Sequence, residues 1–214
     1  MTYANFLQIL LGLPITIALT GVAFLVGAIL GFPLMLARQS KIRVVRILTL
    51  ALITLIRAIP PIVWLFIVFF GVGVAAVQMS PFVSAAIVFG IIATVNMAEI
   101  YRGGMISIHE GQWEAARALN LGHRHTFTDI IIPQMFRVSL PSAATYAIGL
   151  LKDSSIASTI GVIDLAYRGS MVSQMTFKGL EVFAVVGVLY ILISLPIAWL
   201  SRMADYRLQT RVAR

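Results

Sequence analysis

Two carboxylates stand where a carboxylate is costly. Glu99 closes an uncharged run that extends from Ala58 to Ala98, and Asp153 follows Lys152 inside another largely apolar stretch. An acid in such surroundings either faces a water-filled path, where it can hold an ammonium group or relay a proton, or it pairs with a nearby base. Arg102 lies three residues after Glu99, on the same face of a helix, and offers that pairing. Lys152 is adjacent to Asp153, so on a helix it points about 100° away and the two charges do not cancel. Asp153 is therefore the stronger candidate for holding a substrate's ammonium or cationic side chain; the alternative is a structural pair with a base on a neighbouring helix. Ser154 and Ser155 add hydroxyls beside it, although serines in apolar helices often bond their own backbone.

Other chemistries find little support. His109, His123 and His125 lie in one polar segment and are read as lacking an acidic or second His partner at helical ligand spacing, so no metal centre is expected. The chain has no Cys, which excludes a disulfide, a thiolate metal ligand and a Cys nucleophile. No Gly-x-x-x-x-Gly-Lys-Ser/Thr loop is present to cradle nucleotide phosphates, and no cofactor is expected in the chain itself. There is no Ser/His/Asp set and no catalytically spaced acid pair, which argues against an intramembrane enzyme. A self-contained secondary transporter or channel, with Glu99 and Asp153 as a proton or ion relay, is the alternative from a different class.

The elements that must position these residues follow from composition. Of 214 residues, 60% are hydrophobic and only 11% charged. A soluble domain carries about a quarter charged residues, so this much apolar surface calls for a bilayer as solvent. The net charge of +8 is gathered in clusters rather than spread. The first 37 residues carry no Asp, Glu, Lys or Arg, and Arg38, Lys41, Arg43 and Arg46 then fall within nine residues. Arg202, Arg207, Arg211 and Arg214 mark the tail. Basic clusters between apolar runs mark cytoplasmic loops, and without interleaved aromatics they give no nucleic-acid surface. The late first basic residue also argues against a cleaved signal peptide.

A spanning helix needs about 20 mostly apolar residues. The pattern predicts an all-α polytopic membrane protein in a single domain over 1–214, with five spans at about 9–36, 58–77, 82–105, 136–158 and 182–202. Arg57 and Pro60-Pro61 obscure the start of the second span, so 42–57 is read as interfacial. The positive-inside rule places 37–46, 106–133 and the tail in the cytoplasm. The N-terminus, the turn 78–81 and the stretch 164–179 then lie outside, where Arg168 and Lys178 are offset by Asp164 and Glu181.

Segment 106–133 is unlike an ordinary loop. Gln112 to Leu119 is built of strong helix formers, with Glu114 expected near the helix start and Trp113 expected to prop it. Asn120 and Gly122 both tolerate the left-handed backbone that ends a helix. A second apolar run, Ile130-Ile131-Ile132, stops at Pro133. The physical reading is a short surface helix between two spans, shaped to dock in a groove of a partner.

Glu114-Ala115-Ala116, the turn position Asn120 and Ile130-x-Ile132-Pro133 resemble the EAA loop of the permease subunits of ATP-binding-cassette importers. Asn120 stands where that family usually has Gly, and Ile132 where it has Leu. Ala98-Glu99-Ile100-Tyr101-Arg102-Gly103-Gly104, Leu151-Lys152-Asp153-Ser154-Ser155 and Arg57-Ala58-Ile59-Pro60 resemble elements of the polar amino-acid branch. The resemblance covers most of the chain after residue 50. It implies the type I importer permease fold, with a cytoplasmic coupling helix, in a bacterial cytoplasmic membrane. It also implies a second permease subunit, identical or homologous, two ATP-binding subunits that use the ATP, and an extracytoplasmic amino-acid-binding protein. Glu114, Ala115, Ala116, Asn120, Gly122 and Pro133 would then form the contact with the ATPase, and Glu99, Asp153, Ser154 and Ser155 a tentative substrate path.

Overall fold

The computed structural model describes residues 2–72 and 79–212, so the expected end of the second span at 73–77, Gln78 and Arg214 lie outside the described residues. Among the described residues every regular element is helical. Helix α1 (Tyr3–Leu10) meets α2 (Leu13–Arg38) at Gly12, and Pro14 in the first turn of α2 suits its fixed φ. The pair spans residues 3–38, longer than the expected 9–36. A polar turn leads to α3 (Arg43–Ala58), which breaks at Ile59-Pro60 before α4 (Pro61–Phe66) and a π-helical turn, Ile67–Val72. Ser80 then caps α5 (Pro81–Ile106), its hydroxyl accepting from the Val83 N–H.

The polar segment folds as α6 (Glu110–Ala118), the short turn α7 (His123–His125) and a second π-helical turn, Thr126–Ile131. It feeds α8 (Ile132–Asp153), which tightens into a 3-10 helix at Ser154–Ile160. The chain returns through α9 (Leu165–Thr176) and α10 (Gly179–Val212).

Three of these units are long and apolar enough to cross a bilayer: 3–38, α5 and the Gly179–Met203 part of α10. Helices α3 and α4 form a fourth only as a bent pair, with 97° between their axes. The stretch 42–57, read as interfacial, is α3 itself; Thr49, Ile53 and Ile56 face the bundle while Ile47, Leu48 and Leu55 remain exposed. Helix α8 takes the place of the remaining expected span, packed against both α5 and α10. Leu25, Ile29, Leu30, Val188, Ile191 and Leu192 leave a broad apolar surface uncovered, which only a lipid solvent accommodates.

The most extensive helix contact is α2 on α5. A Cβ at Gly27 would lie 2.5 Å from the Ala93 Cβ, and one at Gly31 would lie 2.7 Å from the Met97 Cβ. These glycines are four residues apart and let two backbones approach where lipid gives helices no hydrophobic drive to associate.

The α3–α4 break has a chemical cause and a repair. The Ile56 carbonyl would bond the N–H four residues on, but Pro60 has none. Instead the Trp64 indole N–H donates to the Ile56 carbonyl at 3.1 Å, stapling α4 back onto α3. Trp64→Phe keeps the ring but strands that carbonyl, and should lower unfolding free energy by about 1–2 kcal/mol. Thermal unfolding in detergent checks this; a melting temperature equal to wild type would remove the staple from the account.

At the end away from the 106–133 segment, Asp164 is fully buried and caps α9, accepting from the Tyr167 N–H at 2.8 Å. The Thr16 hydroxyl accepts from the Leu165 N–H at 3.1 Å and donates to the Gly12 carbonyl, tying α2 to the same point. A Cβ at Gly12 would collide with the Asp164 carbonyl oxygen. Burial pushes the Asp164 carboxyl up to about 6, against the opposing pull of the Tyr167 and Ala166 backbone N–H groups. Because the folded value lies above the unfolded one, the associated stability is present in acid and is lost as pH rises through about 6. Asp164→Asn keeps the capping oxygen without the charge. The variant's melting temperature should vary little between pH 4.5 and 8, where the wild type loses on the order of 2–3 kcal/mol. Parallel pH profiles for the two proteins would contradict this.

Arg168, expected to be offset by Asp164, does not pair with it: its Nε is buried without a hydrogen-bond partner among the described residues. Lys178 and Glu181 do pair, at 3.3 Å.

Candidate functional site

The cytoplasmic-type segment builds a rigid, outward-looking helix. Helix α6 begins at Glu110, two residues earlier than expected, with the His109 Nδ1 accepting from the Gly111 N–H at 3.0 Å. Glu110 rather than Glu114 therefore occupies the first turn and meets the positive end of the helix dipole, and Arg117 occupies the last. Glu114 lies mid-helix.

The helix ends in a Schellman turn. Asn120 adopts φ 51°, the Leu121 N–H bonds the Ala116 carbonyl at 3.0 Å, and the Asn120 N–H bonds the Arg117 carbonyl at 3.0 Å. Asn120 thus takes the left-handed position alone. Gly122, expected to share it, has φ −59° and open space where a Cβ would be, so its conformation does not require glycine. The difference is one of bookkeeping in the turn: one left-handed residue suffices to close both bonds.

One face of α6 is anchored. Ala116 is buried and Trp113 packs with Phe127 and Ile130 beneath the cluster of Tyr101, Met105, Ile131 and Met135. The Gln134 side-chain amide donates to the Gln112 side-chain carbonyl at 3.1 Å, joining α6 to α8 just after Pro133. The opposite face presents Glu114, Ala115, Ala118 and Leu119, all exposed. A cavity of about 260 Å³ opens beside it, lined by Trp113, Arg117, Leu121, His123 and Thr126.

The histidines were expected to lack an acidic partner; His125 has one in Asp129, four residues on, with Nδ1 to Oδ2 at 3.0 Å. The Thr128 hydroxyl, and then His125, hold the exposed Asp129 below the usual carboxylate range. Among the described residues no group of three His, Cys, Asp or Glu side chains could hold a metal ion.

Within the bundle the two acids part company. Arg102 grips Glu99 with Nη2 and Nε, both at 2.8 Å from Oε2, and Arg38 of α2 reaches Oε1 at 4.0 Å. Glu99 is thus the centre of an ion-paired clamp joining α2 and α5 at the cytoplasmic-type end. Asp153, at the last turn of α8, has no ion pair or hydrogen bond among the described residues. It lies within electrostatic range of the Tyr146 hydroxyl, which is buried beside the Asn96 side chain of α5. Ser154 is structural: buried, it donates to the Leu151 carbonyl and accepts from Thr20 of α2 at 3.3 Å. Ser155 donates to the Lys152 carbonyl at 2.7 Å.

Residues 23–210 match the family described as binding-protein-dependent transport system inner membrane component. The chain belongs to this family. It is a multi-pass permease component of the inner membrane. Among its relatives, the L-cystine transport system permease protein TcyL of Bacillus subtilis is 32% identical over 94% of this chain and 88% of that protein. The nopaline transport system permease protein NocM of Agrobacterium fabrum is 28% identical over 94% and 88%. A crystal structure of an amino acid ABC transporter with histidines superposes with a TM-score of 0.88 at 28% identity, over 94% of each chain. The MetNI methionine ABC transporter in an inward-facing conformation shares the fold, with a TM-score of 0.81 at 20% identity over 96% of this chain and 99% of that one.

The permease's polar interior contains two residues that do not stand out in the sequence, Tyr146 and Asn96. Asn96 carries the stronger signal, as the only carboxamide in the expected third span, 82–105. Its Nδ2 bonds the Ile92 carbonyl at 2.8 Å and leaves its oxygen free of that bond.

Proposed function

We propose that this permease conducts polar amino acids inward across the bacterial cytoplasmic membrane, driven by ATP that two separate ATP-binding subunits hydrolyse. The observation that carries the reading is α6: a short helix locked at both ends and along one side, with Glu114 at the centre of its free face. A rigid lever of this kind transmits force only if something grips it, and a groove in each ATPase would do so. The chain itself acts as a conduit, without a cofactor and without catalysing hydrolysis.

A second permease subunit, either another copy or a homologue, completes the pathway, and an extracytoplasmic amino-acid-binding protein delivers the substrate. The N-terminus lies outside and the C-terminus in the cytoplasm, which puts α6 beside the ATPases. Glu114 and Ala115, exposed on α6, make the coupling contact; Ala116, expected to share it, is buried beneath them and with Asn120, Gly122 and Pro133 holds its frame. Asp153, with Tyr146 and Asn96 nearby, offers acceptor groups for a substrate ammonium or cationic side chain. Ser155 adds a hydroxyl at the rim. Glu99 is better read as the pair with Arg102 and Arg38 than as a path residue, which also weakens the alternative of a two-acid proton relay.

The test is uptake by the assembled complex in proteoliposomes, with a panel of cystine, arginine, glutamine and glutamate. Uptake of a polar amino acid that requires ATP, the ATPase and the binding protein supports the proposal. Uptake by the permease alone, driven by an ion gradient, would replace it with the secondary-transporter reading.

A further inference from the structure

Arg57 is a cation at a depth where lipid gives a cation no shelter. It stands in the last turn of α3, next to Ile56. Ile56 borders a cavity of about 360 Å³ together with Val88, Ile91 and Ile92 of α5, and its carbonyl accepts the Trp64 indole N–H. Ile92 lies near the middle of the bilayer-crossing helix α5, at least about 16 Å from either end at 1.5 Å per residue. Helix α3 therefore enters obliquely from the Arg38 end and stops about halfway across, where the chain bends by 97° into α4. An arginine side chain, roughly 6 Å long, does not bring its guanidinium from there to the headgroups.

The Arg57 side chain is exposed and makes no ion pair or hydrogen bond among the described residues. Arg46, Leu50, Thr54 and Arg57 fall on one stripe of α3, and all four are exposed. Val44, Leu48, Leu52 and Leu55, exposed and apolar, occupy the other side. Helix α3 thus keeps these two cations off the flank that suits lipid. An unpaired charge at this depth faces a water-filled path or an opposite charge. Within the spans the acids are Glu99, already held by Arg102, and Asp153. Asp153 is itself unpaired and close to the same level. Its neighbour Tyr146 lies beside Asn96, one turn from Ile92 on α5, and α4 packs against the 3-10 helix that follows Asp153. An unpaired base and an unpaired acid near mid-membrane match a zwitterion, which brings a carboxylate for one and an ammonium for the other.

We infer that Arg57 binds the carboxylate of the amino acid in transit, within a water-filled path that the Thr54–Leu50–Arg46 stripe of α3 carries toward the cytoplasmic-type end. The identity of the carboxylate rests on the proposed amino-acid conduit; the electropositive, wetted site at Arg57 does not.

Because the chain has no Cys, Thr54→Cys places a single thiol on the permease, one turn from Arg57 on the same stripe. The complete complex in lipid nanodiscs, without nucleotide, is treated with two methanethiosulfonates, one bearing a sulfonate and one a trimethylammonium group. The thiolate attacks the reagent's thiol-derived sulfur, a mixed disulfide forms and methanesulfinate leaves; the added mass is read on the permease chain. Both reagents should react. Adding Arg57→Gln should lower the sulfonate-to-ammonium rate ratio about tenfold, and Arg57→Lys should retain it. With Thr54 intact, Arg57→Gln should also lower ATP-driven uptake from the panel of cystine, arginine, glutamine and glutamate about tenfold, with Arg57→Lys recovering most of it. No reaction with either reagent would mean a dry contact at this face and would overturn the inference. So would a rate ratio indifferent to Arg57, or full uptake by Arg57→Gln. A disulfide between Arg57→Cys in one copy and Asp153→Cys in another would replace the site with an ion pair between subunits. Uptake that needs no ATP would overturn the importer reading and leave the rate ratio, and with it the site, in place.

Discussion

Glu114→Lys abolishes ATP-driven uptake while the permease still reaches the membrane in normal amounts. Glu114 is exposed at the middle of α6, and its side chain makes no hydrogen bond or ion pair among the described residues, so the bundle does not depend on it. A charge buried by a partner is different. Reversing it leaves two like charges facing one another at the docked surface, and the loss is several kcal/mol, about a hundredfold or more in coupled rate. The measurement pairs uptake in proteoliposomes with ATPase activity of the complex. Uptake should fall about a hundredfold or more while residual hydrolysis no longer responds to substrate-loaded binding protein. Normal uptake would remove Glu114 from the coupling surface.

The second large effect is expected at Asp153. Its carboxylate stands in the last turn of α8 with no ion pair or hydrogen bond among the described residues, within electrostatic range of the Tyr146 hydroxyl. An acid in an apolar span without such a pair is expected to face a substrate or ion path. Asp153→Asn preserves shape and removes the charge. For a substrate with a cationic group the transport rate should fall about tenfold to a hundredfold, with folding and assembly preserved. Initial uptake rates over a substrate concentration series separate weakened binding from slowed passage. Unchanged affinity and unchanged maximal rate would take Asp153 off the pathway.

The residues that were legible in the sequence are those whose environment is local. The amphipathic stretch 112–119 and the left-handed turn at Asn120 depend on neighbours within a few residues, and both are present in the structure. The Glu99–Arg102 pair follows from a three-residue spacing. Arg38 as its third member does not, because it comes from α2, more than sixty residues away in sequence. Pro60 announces a break, yet nothing short of the folded chain shows that Trp64 supplies the missing donor to Ile56. Glycine tolerates a positive φ but does not demand one: Gly122 keeps φ −59° because Asn120 alone closes the turn. Asp164 looked like a counter-charge to Arg168, whereas the fold buries it as a helix cap against α2. Long-range burial, rather than residue type, decided each of these.

Helix α6 is proposed to be a lever moved by ATPases outside this chain. Its most direct test is the distance between spin labels placed at Ala118→Cys on the two coupling helices of the assembled complex, measured by pulsed electron resonance without and with a trapped ATP state. The labels should lie far apart without nucleotide and move several ångströms closer when ATP closes the ATPase pair. A distance that stays the same in both states, in a complex that transports, would contradict the claim.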